Sequence, residues 1–272
     1  MKSILLQIDD DSCFDARLQV AMDIARACDS HITCLQSVRT EVFAPGDFYG
    51  NAMAAALPKI REAAENLRKR IEADLANEDV SWEWLFLDGR AEQHLFEQSP
   101  LHDVIIIGPH DIGEDGLRGP SSMAGELALD SPTPVLIVPA SVNRLDPAAP
   151  ALVAWNGSAE AAVAMRSALP LLAKASRVYL ATVGEDDQKE RYRFPALDAA
   201  KFLSRHGIEI ELVTLPKENR RVSDVLVDAA LARECSMMVM GAYGHSRLAE
   251  MLLGGVTRKV LSDPKLPVLL AH

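Results

Sequence analysis

Cysteine is scarce. The four present in 272 residues, Cys13, Cys28, Cys34 and Cys235, show no CxxC spacing, which excludes a disulfide scaffold and fits a reduced compartment. Long hydrophobic runs are absent as well: the longest apolar stretches, such as 104–108 and 135–138, are strand-length, far short of the roughly 20 residues that span a bilayer. The opening Met1-Lys2-Ser3-Ile4 carries no cleavage signature, so a cytoplasmic protein without a membrane partner is expected. Basic charge is in deficit, with 28 Lys and Arg against 39 Asp and Glu, a net charge of −11 and a pI near 5.1. A molecule so charged repels polyanions from a distance, which argues against nucleic acid as a partner. A small anion remains compatible, because backbone N–H groups and a helix terminus hold phosphate whatever the net charge.

What is present is an ordinary globular composition, 49% hydrophobic and 25% charged, in a length between one large domain and two modest ones. Short apolar runs alternate with longer segments of helical periodicity, the pattern of βαβ units around a parallel sheet covered on both faces. Strands are expected at 3–9, 31–38, 80–87, 103–108 and 134–139, and helices at 14–27, 58–75, 91–98 and 121–130, with a loop over 39–57. After a Pro-containing linker at 141–150 the order restarts, with strands at 151–155, 177–183, 208–215, 237–241 and 267–271 and helices at 158–173, 195–206, 221–234 and 247–262. Three anchors fix the repeat: Ile8-Asp9-Asp10-Asp11-Ser12 matches Ala154-Trp155-Asn156-Gly157-Ser158, Val104–Gly108 matches Met237–Gly241, and Pro134–Ile137 matches Pro267–Leu270. The expectation is therefore two α/β domains, 1–140 and 151–272, each a five-stranded parallel sheet with helices on both faces, related like the halves of a homodimer. Chemistry in such sheets gathers beyond the carboxyl ends of the first and fourth strands.

The fourth strand of the second half runs into Gly241-Ala242-Tyr243-Gly244, and Gly254-Gly255-Val256-Thr257 opens the last helix nine residues later. Gly241 and Gly244 would let the backbone turn and approach a polyphosphate, while Gly254 and Gly255 leave the first N–H groups of a helix uncovered. His245 and Arg247 lie between them, and Thr257 offers a hydroxyl. Asn156, after the first strand, can donate to and accept from a base edge, Trp155 could stack on the base, and Ser158 suits a helix N-cap.

These residues resemble the universal stress protein family, whose nucleotide-binding members carry Gly-x2-Gly-x9-Gly-Ser/Thr after the fourth strand. The second half is similar through Gly241, Gly244 and Gly254, and departs from the motif at Gly255, where a hydroxyl is usual. The resemblance covers nearly the whole chain. It implies an adenine nucleotide alpha hydrolase-like fold and a site for ATP, with or without Mg2+, formed by Trp155, Asn156, Gly157, Val183, Met240, Gly241, Gly244, His245, Arg247, Gly254, Gly255, Val256 and Thr257. It also implies a regulatory ligand in a stress response, an unidentified protein partner, and a tandem pseudo-dimer that is monomeric or pairs again.

In the first half the motif is degenerate. Asp111 stands where the second glycine falls, Glu114 and Asp115 follow, Ser121-Ser122 replace the later glycines, and Asp9, Asp10 and Asp11 crowd the first strand end. Carboxylates so placed repel phosphate, so this half is expected not to bind nucleotide. Asp9-Asp10 with Asp88 also resembles the acidic pocket of a phosphosignalling receiver, but the fifth strand ends Val138-Pro139-Ala140 without the lysine such a pocket needs. Neither a P-loop nor the Ser-Gly-Gly-x-Asp-Ser loop of ATP pyrophosphatases occurs. His94, His102, His110, His206 and His245 stand in no recognised catalytic pattern, so no catalytic residue and no metal site are assigned, and any ATPase activity is expected to be weak.

Overall fold

Apolar residues at both odd and even positions of the short runs require a sheet buried on both faces. The computed structural model describes residues 1–38, 48–112, 118–120, 122–184, 194–242 and 255–272. Its first half contains β1 (Ser3–Ile8), α1 (Phe14–Cys28), β2 (His31–Val38), α2 (Phe48–Leu75), β3 (Ser81–Asp88), α3 (Ala91–Gln98), β4 (Val104–Ile107), a short hairpin of β5 (His110–Ile112) and β6 (Arg118–Pro120), α4 (Ser122–Asp130) and β7 (Val135–Ile137). The second contains β8 (Ala151–Ala154), α5 (Ala159–Ser167), α6 (Leu169–Leu172), β9 (Val178–Val183), α7 (Ala196–Arg205), β10 (Ile210–Leu215), α8 (Val222–Ala232), β11 (Met237–Gly241), α9 (Gly255–Ser262) and β12 (Val268–Ala271).

The strands form one ten-stranded sheet in the order β10-β9-β8-β11-β12-β7-β4-β1-β2-β3. Within this sheet each half has the same internal order, with its first strand between its second and fourth, and every pairing inside a half is parallel; the β5–β6 hairpin stands apart as an antiparallel pair. The halves meet where β12 pairs antiparallel with β7, in the register Val268↔Ile137, Leu269↔Leu136 and Leu270↔Val135. Side chains alternate between the faces as strand geometry demands. Ile4, Leu6 and Ile8 join the face covered by α1, α2, α5, α6 and α7, whereas Leu5 joins the face covered by α3, α4, α8 and α9. The edge strands β3 and β10 are only half covered, and Phe86 and Leu212 remain exposed there.

Four local departures from the sequence expectation have physical causes. Helix α2 starts ten residues before Pro58 and carries that proline in its interior. A proline removes one N–H donor and crowds the preceding turn, so it was a poor marker of where this long helix begins. Conversely, the continuous helix expected over 158–173 divides at Ala168 into α5 and α6, with Pro170 in the first turn of α6, where its missing N–H costs nothing. The β5–β6 hairpin was read as loop, because strands of three residues are too short to show a period. The segment linking the halves is not free: Leu145 is buried in the core, and its N–H donates to Asp23 Oδ2 on α1 at 2.8 Å.

Leu136 lies at the central antiparallel pairing and is fully buried. Leu136→Ala is expected to lower unfolding stability by about 2–5 kcal/mol, as large-to-small core changes do. Urea unfolding of both proteins measures it, and a loss below ~1 kcal/mol would show that the seam between the halves contributes little.

Candidate functional site

The crevice of the second half lies at the carboxyl ends of β8 and β11, the neighbouring strands from which the sheet order diverges. Beyond β8 the chain turns through Asn156 and Gly157 into α5. Asn156 is exposed, and its Oδ1 accepts from the Ser158 N–H at 3.1 Å, so half of the amide already serves the turn. Gly157 has φ +71°, a left-handed conformation that glycine adopts without strain. Ser158 is extended, and its Oγ accepts from the Ala161 N–H at 3.1 Å, which makes it the N-cap of α5.

Trp155 requires a correction. Its ring is 4% exposed and belongs to the core, while its Nε1–H donates to the Phe194 carbonyl at 3.0 Å. No open face is left for stacking on a base. Phe194 closes a second bond onto the same turn, its N–H donating to the Gly157 carbonyl at 3.1 Å.

Gly241 also has a different task from the one expected. A Cβ built there would lie 2.5 Å from the Ala161 nitrogen and 2.6 Å from the Glu160 carbonyl carbon. The glycine is needed because the first turn of α5 packs directly on the end of β11, whether or not phosphate approaches. Met240 before it is buried in the core, and Val183 is half-buried at the end of β9. Helix α9 starts at Gly255 and has no acidic residue in its first turn; Val256 packs against the core and Thr257 is buried. Gly244, His245, Arg247 and Gly254 lie outside the described residues.

At the matching place in the first half the space is taken by a charge. The Cβ position of Gly108 lies 2.6 Å from Nη1 of Arg17, a side chain fully buried on α1. Nη1 donates to Asp11 Oδ1 at 3.0 Å and sits 2.7 Å from Oδ2. The same carboxylate accepts from the N–H of Cys13, the N-cap residue of α1, at 2.6 Å, an Asx turn that leads into the helix. Nε and Nη2 of Arg17 have no hydrogen-bond partner among the described residues. Desolvation and the nearby Asp11 carboxylate raise the Asp9 carboxyl above its ordinary pKa, against the opposing pull of Arg17. This buried arginine escaped the sequence reading. Its signal was an arginine on the apolar stripe of a helix, three residues after Phe14 and four before Ala21, following three aspartates.

Two of the histidines considered for catalysis are held by hydrogen bonds to neighbouring elements. His94 Nε2 lies 3.0 Å from the Asp88 carbonyl, and His102 bridges the Gln98 carbonyl at 2.8 Å and Thr33 Oγ1 at 3.1 Å. Among the described residues no three His, Cys, Asp or Glu side chains are grouped to hold a metal ion, and no helix is long and apolar enough to cross a membrane.

Comparison with known proteins shows the same duplication. The profile of the universal stress protein family matches residues 1–139 and again 149–272. The universal stress protein Slr1230 of Synechocystis sp. is 27% identical over 173 residues, 61% of this chain, and the match spans 57% of that relative's length. A universal stress protein from Archaeoglobus fulgidus DSM 4304 superposes with a TM-score of 0.74 at 18% identity, covering 99% of this chain and 98% of that one. A protein of unknown function from Pseudomonas aeruginosa PAO1 superposes with a TM-score of 0.57 at 19% identity, covering 100% and 92%. At these identities the two structures speak for the fold.

The buried ion pair makes a stability prediction. Asp11→Ala strands the Arg17 guanidinium without a counter-charge and should cost about 3–5 kcal/mol. Arg17→Met combined with Asp11→Asn removes both charges and keeps an acceptor for the Cys13 N–H, so the double variant should unfold much closer to wild type. Equal destabilisation of the two in a denaturant titration would contradict the assigned pairing.

Proposed function

This chain belongs to the universal stress protein family, and from that premise we propose that it binds one adenine nucleotide, ATP with or without Mg2+, in the crevice of its second half as a regulatory ligand. The observation that carries this reading is the contrast between the two crevices. Around β1 and β4 the strand ends hold Arg17, Asp11 and Asp9. Around β8 and β11 the described turn residues, Trp155, Asn156, Gly157, Ser158, Gly241 and Ala242, are all uncharged. The α9 terminus at Gly255 has no acidic residue in its first turn to compete for its N–H groups, and such a terminus favours an anion. Asn156 supplies the polar edge for a base, through whichever of its groups the turn does not use.

The family supports a role in stress response, through a protein partner that distinguishes the nucleotide-bound form. A cytoplasmic setting agrees with the cysteine usage read from the sequence. Hydrolysis has little support: the turn after β8 offers an amide rather than a carboxylate base, and Gly255 lacks the hydroxyl that the motif usually provides.

Two measurements test this reading. Calorimetric titration with ATP is expected to give one site per chain, and Gly244→Asp, which copies Asp111 of the first half, should weaken binding by ~10-fold or more, the loss expected for a charge-assisted contact. Two equal sites, or unchanged affinity in the folded variant, would move the site elsewhere. In a steady-state assay with Mg2+ and no partner, turnover should stay well under ~1 s⁻¹, below the range typical of kinases. Several turnovers per second, abolished by Gly244→Asp, would make the protein an enzyme.

A further inference from the structure

The internal repeat supplies its own control for features the fold does not require. Helix α8 has eleven residues and buries Val225, Leu226, Ala229 and Ala230 against the sheet. Its counterpart α3 has eight and runs on into a 3-10 turn at Ser99–Leu101; it buries Leu95 alone and leaves Phe96 45% exposed. Between α3 and α4 the first half keeps an open groove of about 670 Å³. Its apolar lining is Phe96, Met123 and Leu127, and its polar lining includes Glu92, Glu126 and Asp130.

The charges of this groove are lopsided. Arg90, the one cationic side chain among its described lining residues, pairs with Glu92 across the first turn of α3. Glu126 and Asp130 have no ion-pair partner among the described residues, and both face the groove from α4. The register that aligns Pro134 with Pro267 puts Lys259 of α9 at the position of Glu126 and Asp263 at that of Asp130, so Glu126 is the carboxylate that the first half has and the second lacks. Four residues of helix separate the two carboxylates by roughly 6 Å along the axis. Ammonium groups joined by three or four methylenes stand roughly the same distance apart at ordinary C–C bond lengths. Methylene segments between them would lie on Phe96, Met123 and Leu127 as a lysine stem lies on apolar surface, with a cation held near the Phe96 ring.

The geometry points to this groove as a binding site for a linear aliphatic polyamine, with its ammonium groups on Glu126 and Asp130 and its methylenes on the apolar floor. The site lies on the face of the sheet opposite α2 and is independent of the nucleotide reading.

Calorimetric titration of the full chain with spermidine, at about 0.15 M salt so that long-range attraction is screened, tests it. One saturable site per chain is expected. Glu126→Gln should weaken it by about 10-fold, the loss of a charge-assisted contact, and Phe96→Ala by about 3-fold through the lost ring contact. Glu65→Gln, on α2 across the sheet, should leave it unchanged. Ethylenediamine, whose ammonium groups stand closer together, should bind less well than 1,4-diaminobutane. Because an acidic protein attracts any polycation, binding that fails to saturate, or that all three variants lower equally, would overturn the assignment, as would wild-type affinity in Glu126→Gln. Each substitution is at a surface side chain, and matching thermal unfolding curves confirm that the compared proteins are folded.

Discussion

The antiparallel pairing of β7 with β12 is the constraint from which the rest of the molecule follows. Each half has an open sheet whose fifth strand would otherwise be a bare edge, and β7 and β12 are apolar and fully buried on both faces. Unpaired, they would present free backbone donors and acceptors beside hydrophobic side chains, the combination that drives edge-to-edge aggregation. Pairing them with each other satisfies both. Because the pairing is antiparallel while every other contact in the sheet is parallel, the carboxyl ends of β1 and β4 point opposite to those of β8 and β11. The chain therefore places its two crevices at opposite ends of one continuous sheet, where neither can intrude on the other.

Given that separation, the halves have solved the same packing problem differently. At the end of a fourth strand the first helix of the half must come close, and a glycine makes room. In the second half the room is filled by backbone, the first turn of α5 against Gly241. In the first it is filled by the Arg17 guanidinium, with Asp11 as counter-charge and as acceptor in the turn before α1. Burying such a pair is expensive, and its attraction compensates only when the geometry is good. Among the described residues, two of the guanidinium nitrogens find no hydrogen-bond partner. A crevice closed by its own charges is a poor receptor for a triphosphate, and the second crevice holds no such pair among its described residues.

Divergence also appears on the face carrying α3, α4, α8 and α9. There the second half covers the sheet with a helix that buries four apolar side chains, and the first half leaves a groove whose Glu126 and Asp130 have no ion-pair partner among the described residues. Duplication thus permits specialisation: stability is supplied by ten strands together, and each half is free to lose what the other keeps.

The sequence by itself determined the architecture. Apolar periodicity, the repeat anchors and the turn residues located all ten strands of the sheet, the break between the halves and the Ser158 cap, because each of those features is written within a few neighbouring residues. The candidate crevice was legible to the same extent, as glycines and Asn156 after the right strands, with Gly244, His245, Arg247 and Gly254 beyond the described residues. Tertiary structure alone decided the remainder: that Trp155 is core and not a stacking surface, that Gly241 admits a helix, that Arg17 fills the first crevice, and that a groove stays open between α3 and α4. Each depends on which surface meets which across tens of residues of chain, between elements whose separation only packing fixes, and local periodicity carries no record of that distance.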